Sequence, residues 1–524
     1  ATSRAAAVPR NLSGAATRCG IGSMVPPAGG AAAPSRQGRP VHAVTMRVPE
    51  ARLGMVSTVQ GTGGAPLVVL SNRGPLSFWR DDSGRLQARR GGGGLVTALG
   101  TGVVEHEALW LAAAMGPDDC EAAADGVVEA DGFRLRSLDI APDLYRAYYD
   151  VIANQTLWFL HHGLWDLPRR PRFDRRWWEA WAAFGEVNHI FAQAAADAVA
   201  PGGTVLIHDY QLSLVGAELS RLRPDVHSLA FMHTPHCQPG ELLILPERVG
   251  DALLAGLAGA GACGFHTQRW ATAFEACCRE RRVELPPISV MPAAADAANI
   301  GSVAHSPDCD RELAWLDHQV GDRQLIVRVD RIELSKNLLR GFYAYDDLLS
   351  QAPELRGRVI FAAFVYPSRQ TMAEYLGYRL EVEAVVHWLN AKWSTPGWEP
   401  ILLDLVDNYP RSIAALRRYD VLLVNPVRDG LNLVSKEGPL VNERNGLLAL
   451  SASAGAWDEM GTHALEVHPF DIAGTANALL AALTMSADER AARSSALRKA
   501  ASARTPLDWF GDQLAAARPP ANSN

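Results

Sequence analysis

Two basic side chains set five residues apart, just past a run of strand character, are the first chemistry this sequence offers. In RVDRIELSKN (328–337), Arg331 precedes Lys336. Fixed cations beyond a strand end suit a diphosphate leaving group, because they neutralise charge as the bond to it breaks and so favour the transition state over the ground state. A solvated pair at a helix start would read the same way. A second cluster, VNPVRDGLNLVSKEGPLVNE (424–443), runs from a strand into Asp429-Gly430-Leu431-Asn432-Leu433 and then into a helix carrying Lys436 and Glu437. Gly430 permits a tight turn, and N–H groups at a helix start receive phosphate or sugar oxygens. Glu437, one to two turns in, can accept hydrogen bonds from both ribose hydroxyls. A helix capped by Asp429 or Asn432 is the plainer alternative. The order Asp-Gly-x-Asn-x4-Glu is more specific than a cap requires.

The first half of the chain carries weaker signals of the same kind. SNRG (71–74) and the glycine run GGGGL (91–95) flank a loop. Glycines placed between a strand and a helix let the backbone approach a diphosphate or sugar closely. IHDYQ (207–211) and FMHTP (231–235) put Asp209 and His233 at strand ends, where the acid can orient an acceptor and the imidazole can meet a sugar hydroxyl. A single such histidine is more often structural. YYDVIANQTLWFLHH (148–162) mixes aromatic and polar groups as sugar sites do, and as packed cores also do.

These groups need rigid elements behind them. PLVVLSNRG (66–74), TVLIHDYQ (204–211), SLAFMHTP (228–235), ACGFHT (262–267) and PISVMP (287–292) are nearly continuous apolar runs ending in polar residues. A second series follows: QLIVRVDR (324–331), RVIFAAFV (358–365), PILLDLVD (400–407), DVLLVNPV (420–427) and GLLALSAS (446–453). Helix-length segments separate them, the form taken by parallel strands buried on both faces. The expectation is an α/β protein of two doubly wound, Rossmann-like lobes, with ligands at the carboxyl ends of strands in the cleft between them. The lobes are expected at 65–296 and 323–487, joined by a hinge at 297–322 where the rhythm lapses in HSPDCD. Helices and a tail follow over 488–524.

Composition narrows the class. A chain of 524 residues with 48% hydrophobic and 20% charged residues is globular and long enough for two cores. A formal net charge of −7 argues against a nucleic-acid binder living on phosphate contacts. Seven scattered cysteines without C-x-x-C read as reduced thiols of a cytoplasmic enzyme, and no cluster has metal-ligand spacing. The longest apolar run, Ala252 to Phe265, is too short and too rich in Gly and Ala to span a bilayer, so no membrane partner is expected. Residues 1–64, rich in Ala, Gly, Pro, Ser and Arg, read as a disordered leader. An upstream extension with Met24, Met46 or Met55 as the true start fits it slightly better than a transit peptide.

Taken together, SNR, GGL, YY…N…LW, HDYQL, FxHxP, GFHT, VDRxxxSKN, PSR and DGLNLVSKE occur in order over about 66–485. The chain resembles the retaining trehalose-6-phosphate synthases, GT-B glycosyltransferases of family 20, in their actinobacterial-type branch. The resemblance implies transfer of glucose from a nucleotide-glucose (UDP-glucose or GDP-glucose) to glucose 6-phosphate, giving α,α-trehalose 6-phosphate without a metal or other cofactor. On the donor side it implies Arg331 and Lys336 at the diphosphate, with Gly94 in the nearby loop. His233, Asp429 and the amides of Gly430, Leu431, Asn432 and Leu433 would hold the donor glucose, and Glu437 the ribose. On the acceptor side it implies Arg73, Tyr149, Trp158, Asp209 and Arg369. It leaves a homo-oligomer open. No protein nucleophile is implied: the departing phosphate oxygen takes the acceptor's proton, and the protein positions and stabilises charge.

The sequence departs from that pattern in two places. LWLAAAM (109–115) lacks the second acceptor-side tryptophan, and FMHTPHCQP has Thr234 and His236 where Ile and an aromatic are usual. A sibling transferase with another acceptor, such as a glucosylglycerol-phosphate synthase or a cyclitol-coupling enzyme, therefore stays open. A catalytically silent paralogue is disfavoured, since Arg331, Lys336 and Glu437 are all present. The Asp308-Cys309-Asp310 triplet lacks the strand context of a phosphatase nucleophile.

Overall fold

The computed structural model describes residues 57–59 and 64–518, apart from 82, 92, 93 and 125. All ten expected strands are present. Nine strands form the first sheet, in the order Ser57–Val59, Val127–Ala130, Phe133–Leu138, Leu109–Ala113, Ala65–Arg73, Val199–His208, His227–Met232, Ala262–Phe265, Ile288–Val290. Its central pairs are parallel, and only the edge at Ser57–Val59 and Val127–Ala130 is antiparallel. The second sheet has six parallel strands, in the order Ile401–Asp404, Val359–Pro367, Gln324–Ile332, Val421–Val424, Leu447–Ser451, Leu465–Val467. Strands such as Val421–Val424 and Leu447–Ser451 are buried along their whole length, which is why they read as unbroken apolar runs.

Two stretches differ from expectation, and the helices expected near the C-terminus are present. Ser57–Val59, within the stretch read as leader, pairs with Val127–Ala130 as an edge strand; the remainder of 1–63 lies outside the described residues, as do 519–524. The stretch 297–322, expected as a hinge, holds helices Ala297–Ala304 and Pro307–Val320, which pack on Tyr409–Arg418 in the second sheet's layer. Its polar run is a capping signal: Ser306 accepts the Cys309 N–H at 3.2 Å, and Pro307 occupies the first helical turn. The final helix, Pro506–Ala517, returns to the first sheet. There Trp509 and Phe510 are fully buried, and Trp509 donates to the Met291 carbonyl at 3.0 Å.

The segment Ala147–Trp158 is a π-helix. Nine residues are two and a half turns of an α-helix, which would put Tyr149 and Trp158 on opposite faces. The wider i→i+5 turn makes the same nine residues roughly two turns, so both point toward the cleft while Tyr148 packs on Phe184.

Among the described residues, no helix is long and apolar enough to cross a membrane.

Candidate active site

The strand Gln324–Ile332 delivers Arg331 at its carboxyl end, and a single 3-10 turn, Leu334–Lys336, delivers Lys336. That turn is built rather than incidental. Asn337 takes a left-handed φ of 60° and donates to the Asn425 carbonyl at 2.9 Å, while the fully buried Arg328 pairs with Asp330 at 3.0 Å and donates to the Lys336 carbonyl. Lys336 Nζ then sits 2.7 Å from Asp429 and 3.7 Å from Asp330. Burial by itself would lower the lysine's pKa, but the two carboxylates outweigh it and raise it. Burial likewise opposes ionisation of Asp429, and Lys336 with the Asn432 amide at 3.1 Å pulls its pKa below the ordinary value. Both groups are charged at neutral pH.

Arg331 and Arg369 converge on one carboxylate. Glu333, fully buried, lies 3.0 Å from Arg331 and 2.7 Å from Arg369. The same oxygen accepts the Ser368 hydroxyl at 3.1 Å. Arg369 also lies 4.1 Å over the Trp158 ring and donates to the Tyr375 hydroxyl at 3.0 Å. Trp158 belongs to the first lobe, so Arg369 meets it across the cleft. Arg73 stands 5.7 Å over Tyr149, and Tyr149 is close enough to Arg331 and Arg369 to influence both electrostatically. Arg73, Arg331 and Arg369 are therefore gathered around one aromatic ring in one crevice.

Glu333 lies inside RVDRIELSKN, and an acid set between two cations was the signal that could have found it. His162 was also missed. It stacks on Trp158 at 3.9 Å and feels Asp429, Glu333 and Arg369 at once. Burial, the largest influence, lowers its pKa to about 4, so it is neutral.

Asp209 follows Val199–His208 with φ 75° and ψ 169°, a region that is nearly the preserve of glycine. Its carboxylate accepts the backbone N–H groups of His233 and Thr234 at 3.1 and 3.2 Å, which hold the strained backbone in place. Burial raises its pKa to about 6, those amides opposing the shift.

His233 sits at the cleft edge with both ring nitrogens engaged. Nε2 lies 3.0 Å from His208 Nδ1, and Nδ1 lies 3.2 Å from His266 Nε2. Each contact takes one donor and one acceptor, so the three tautomers are locked to one another. The Ala293 amide nitrogen lies 3.3 Å from His266 Nδ1. Trp509 packs against all three rings. Burial keeps the trio neutral, with His233 lowered to about 3. A sugar hydroxyl bonding to His233 must displace one of these partners.

The Asp429–Leu433 segment lies directly on the first lobe. A Cβ on Gly430 would come within 1.8 Å of the His233 carbonyl, so only glycine fits. Trp270 donates to the Gly430 carbonyl at 3.0 Å, Arg269 donates to the Ala452 carbonyl at 2.8 Å, and Arg428 makes two 2.9 Å bonds to Glu241. Leu433 approaches Gly94, where a Cβ would lie 3.2 Å from its Cδ1; Gly92 and Gly93 lie outside the described residues. Glu437 is not joined to Arg331 or Lys336 by any contact. It stands on Val434–Val441 beside Tyr409, its carboxylate without an ion-pair or hydrogen-bond partner among the described residues, and desolvation raises its pKa to about 7. Lys436 is occupied elsewhere, holding the Ala293 carbonyl at 2.7 Å and Glu459.

Two parallel-sheet lobes, with cations from one closing on aromatic and acidic groups of the other, define a GT-B glycosyltransferase. The model of glycosyltransferase family 20 matches residues 65–518. A trehalose-6-phosphate synthase from Mycobacterium sp. (strain JLS) is 32% identical over 484 residues, covering 87% of this chain and 97% of the relative. A solved E. coli structure, named for trehalose 6-phosphate and bound with UDP-2-fluoro glucose, is 26% identical with a TM-score of 0.76, over 86% of this chain and 98% of that one. An alpha,alpha-trehalose-phosphate synthase (UDP-forming) from Burkholderia xenovorans, in complex with glucose-6-phosphate, shares the fold at 24% identity and a TM-score of 0.75, over 86% of this chain and all of that one. The chain belongs to glycosyltransferase family 20, the trehalose-6-phosphate synthase family.

Proposed function

We propose that this chain transfers glucose, with retention, from a nucleotide-glucose to glucose 6-phosphate and forms α,α-trehalose 6-phosphate. The observation that supports this reading is the shared crevice that gathers Arg331, Lys336, Arg369, Arg73 and Tyr149; in this reading the first two serve the leaving diphosphate and the other three a phosphate-bearing sugar. Lys336 is held charged by Asp429 and Asp330 before any substrate arrives, so it needs little reorganisation as negative charge grows on the leaving phosphate. Asp429 shares that lysine and lies at the head of the segment assigned to the donor glucose. Glu437, beyond Leu433, takes the ribose hydroxyls. Asp209 orients the acceptor ring, and His233 reaches the donor sugar by giving up one imidazole partner.

Buried polar atoms point to the same place. Trp158 Nε1, Glu333 Oε2 and Arg369 Nε have no hydrogen-bond partner among the described residues. Buried polar groups are normally satisfied, and a sugar phosphate seated against Arg369 and Trp158 supplies donors and acceptors for them. The chemistry draws on nucleotide-sugar and sugar-phosphate pools, consistent with a cytoplasmic enzyme. UDP-glucose and GDP-glucose both fit a site that grips the diphosphate and ribose.

One observation favours a second reading. The strand end paired with Arg73 carries only Ala112 and Ala113, so the acceptor side lacks an aromatic wall there. A related transferase with a different phosphorylated acceptor follows from that. An acceptor screen decides between the two: purified protein, UDP- and GDP-glucose, and glucose 6-phosphate, glycerol 3-phosphate and cyclitol phosphates, read by nucleotide release. Release dependent on glucose 6-phosphate, with α,α-trehalose 6-phosphate identified as product, supports the first reading. Release only with another acceptor replaces it.

A further inference from the structure

The crevice is rich in hydrogen-bond donors. Arg73, Arg331, Lys336 and Arg369 stand around it, and Trp158 Nε1 and Arg369 Nε have no partner among the described residues. A sugar hydroxyl that accepts from such groups must pass its own proton to an acceptor. Glu333 Oε2 is one unengaged acceptor. His162 supplies another. Its Nδ1 lies 2.8 Å from the Trp158 carbonyl, and a carbonyl only accepts, so the proton of the neutral ring sits on Nδ1 and Nε2 keeps its lone pair. That is the ring's one hydrogen bond among the described residues, which leaves Nε2 unengaged.

Position selects the sugar. His162 ends the short helix Phe159–His162, and Gly163 turns the chain away at φ 64°. Arg428 grips both neighbours: it donates to the His161 carbonyl at 3.2 Å, and a Cβ on Gly163 would lie 3.6 Å from its Nη2. The next residue after Arg428 is Asp429, whose carboxylate is the charge that acts most strongly on the His162 ring. The ring itself stacks on Trp158 at 3.9 Å, and Arg369 lies 4.1 Å from the same indole. His162 therefore stands where the donor segment of one lobe meets the aromatic wall of the other. Given the nucleotide-glucose reading above, on which this assignment rests, we propose that His162 is a sugar-contacting residue whose Nε2 accepts a hydrogen bond from one hydroxyl of the donor glucose.

A neutral acceptor suits this place. Burial holds the ring near a pKa of about 4, so it keeps its lone pair across the neutral range. An acid here would set a third carboxylate beside Asp429 and Glu333, whereas an imidazole takes the hydroxyl proton's bond without burying more charge. The Trp158 carbonyl holds the Nδ1 edge and the Trp158 indole holds the face, so Nε2 is oriented before a sugar arrives and little side-chain freedom is lost on binding.

Calorimetric binding of the donor alone tests the contact without any acceptor. Wild type should bind UDP-glucose or GDP-glucose. One of the 2-, 3-, 4- and 6-deoxyglucose forms of that nucleotide should bind about 5–100-fold more weakly, because it leaves Nε2 unpaired in a closed crevice. His162→Phe keeps a ring on Trp158 and removes the lone pair. It should weaken nucleotide-glucose binding about 2–10-fold, leave the affinity for the nucleoside diphosphate unchanged, and bind that same deoxy form no worse than the parent sugar. His162→Gln offers a carbonyl oxygen instead; it should restore part of the discrimination, and it serves where the phenylalanine variant does not fold. Equal penalties in wild type and variants at all four positions overturn the assignment, as does a wild type indifferent to all four deletions. An equal loss of nucleoside diphosphate binding in the variants also overturns it, being the mark of a purely structural histidine. If wild type binds neither nucleotide-glucose, the donor reading falls and this contact with it; binding without coupling to His162 removes the contact alone.

Discussion

Replacing Glu437 by Gln removes its charge and nearly preserves its shape. Its carboxyl is lifted from 4.5 to about 7 because it is half-buried and desolvated with no cation against it. A folded value above the unfolded one means that the folded chain holds this proton longer. The stability it contributes is complete below about pH 4.5, is lost as pH rises through 4.5–7, and is flat above that. Across that window the lifted carboxyl is worth roughly 3 kcal/mol. Two ribose hydroxyls donating to the carboxylate reverse the preference, so nucleotide binding should expel the proton. From a value of about 7, the free chain is about nine-tenths protonated at pH 6 and about one-tenth at pH 8. A nucleotide-diphosphate glucose is the right ligand, since its diester phosphates do not titrate in this range. Calorimetric titrations in buffers of different ionisation enthalpy should therefore show release of ~0.9 proton per ligand at pH 6 and ~0.1 at pH 8. The wild-type affinity should weaken about tenfold from pH 8 to pH 6, and Glu437→Gln should show neither effect. Equal proton release by wild type and variant at pH 6 would refute the ribose assignment.

Three further perturbations probe the crevice. Lys336→Ala strips the leaving-group cation and leaves Asp429 without its partner at 2.7 Å; turnover should fall by about 10²–10³-fold or more with the far-UV spectrum retained, and near-wild-type rates would remove the diphosphate role. Arg369→Ala should raise the apparent KM for a phosphorylated acceptor far more than that for the donor, because Arg331 still neutralises Glu333; steady-state kinetics with each substrate varied in turn would show it. Gly430→Ala drives a methyl group to 1.8 Å from the His233 carbonyl, so the lobes must part there. Thermal unfolding should report a loss of about 1–3 kcal/mol and calorimetry a loss of donor binding, whereas a stable, donor-competent variant would show that this contact is not needed.

Much of this molecule was legible in the sequence because much of it is local. A parallel strand buried on both faces leaves a continuous apolar run whatever its neighbours are, so Gln324–Ile332 and Val421–Val424 stood out, whereas the half-buried Phe133–Leu138 (FRLRSL) did not. The segment from Asp429 to Glu437 was readable for a similar reason, since one loop and one helix hold all its groups. What the sequence alone determined was thus the α/β class, the strand ends and the candidate residues on them. Tertiary structure decided the rest. That Glu333, beside Arg331, also takes Arg369 from another strand end, and that Trp509 returns from the far end of the chain to back the three histidines, are contacts between distant positions. No spacing encodes them, because packing chooses such partners only once both layers exist. The polar stretch 305–310 makes the same point in reverse: its residues suit either a linker or a helix cap, and the layer packed against it selects the cap.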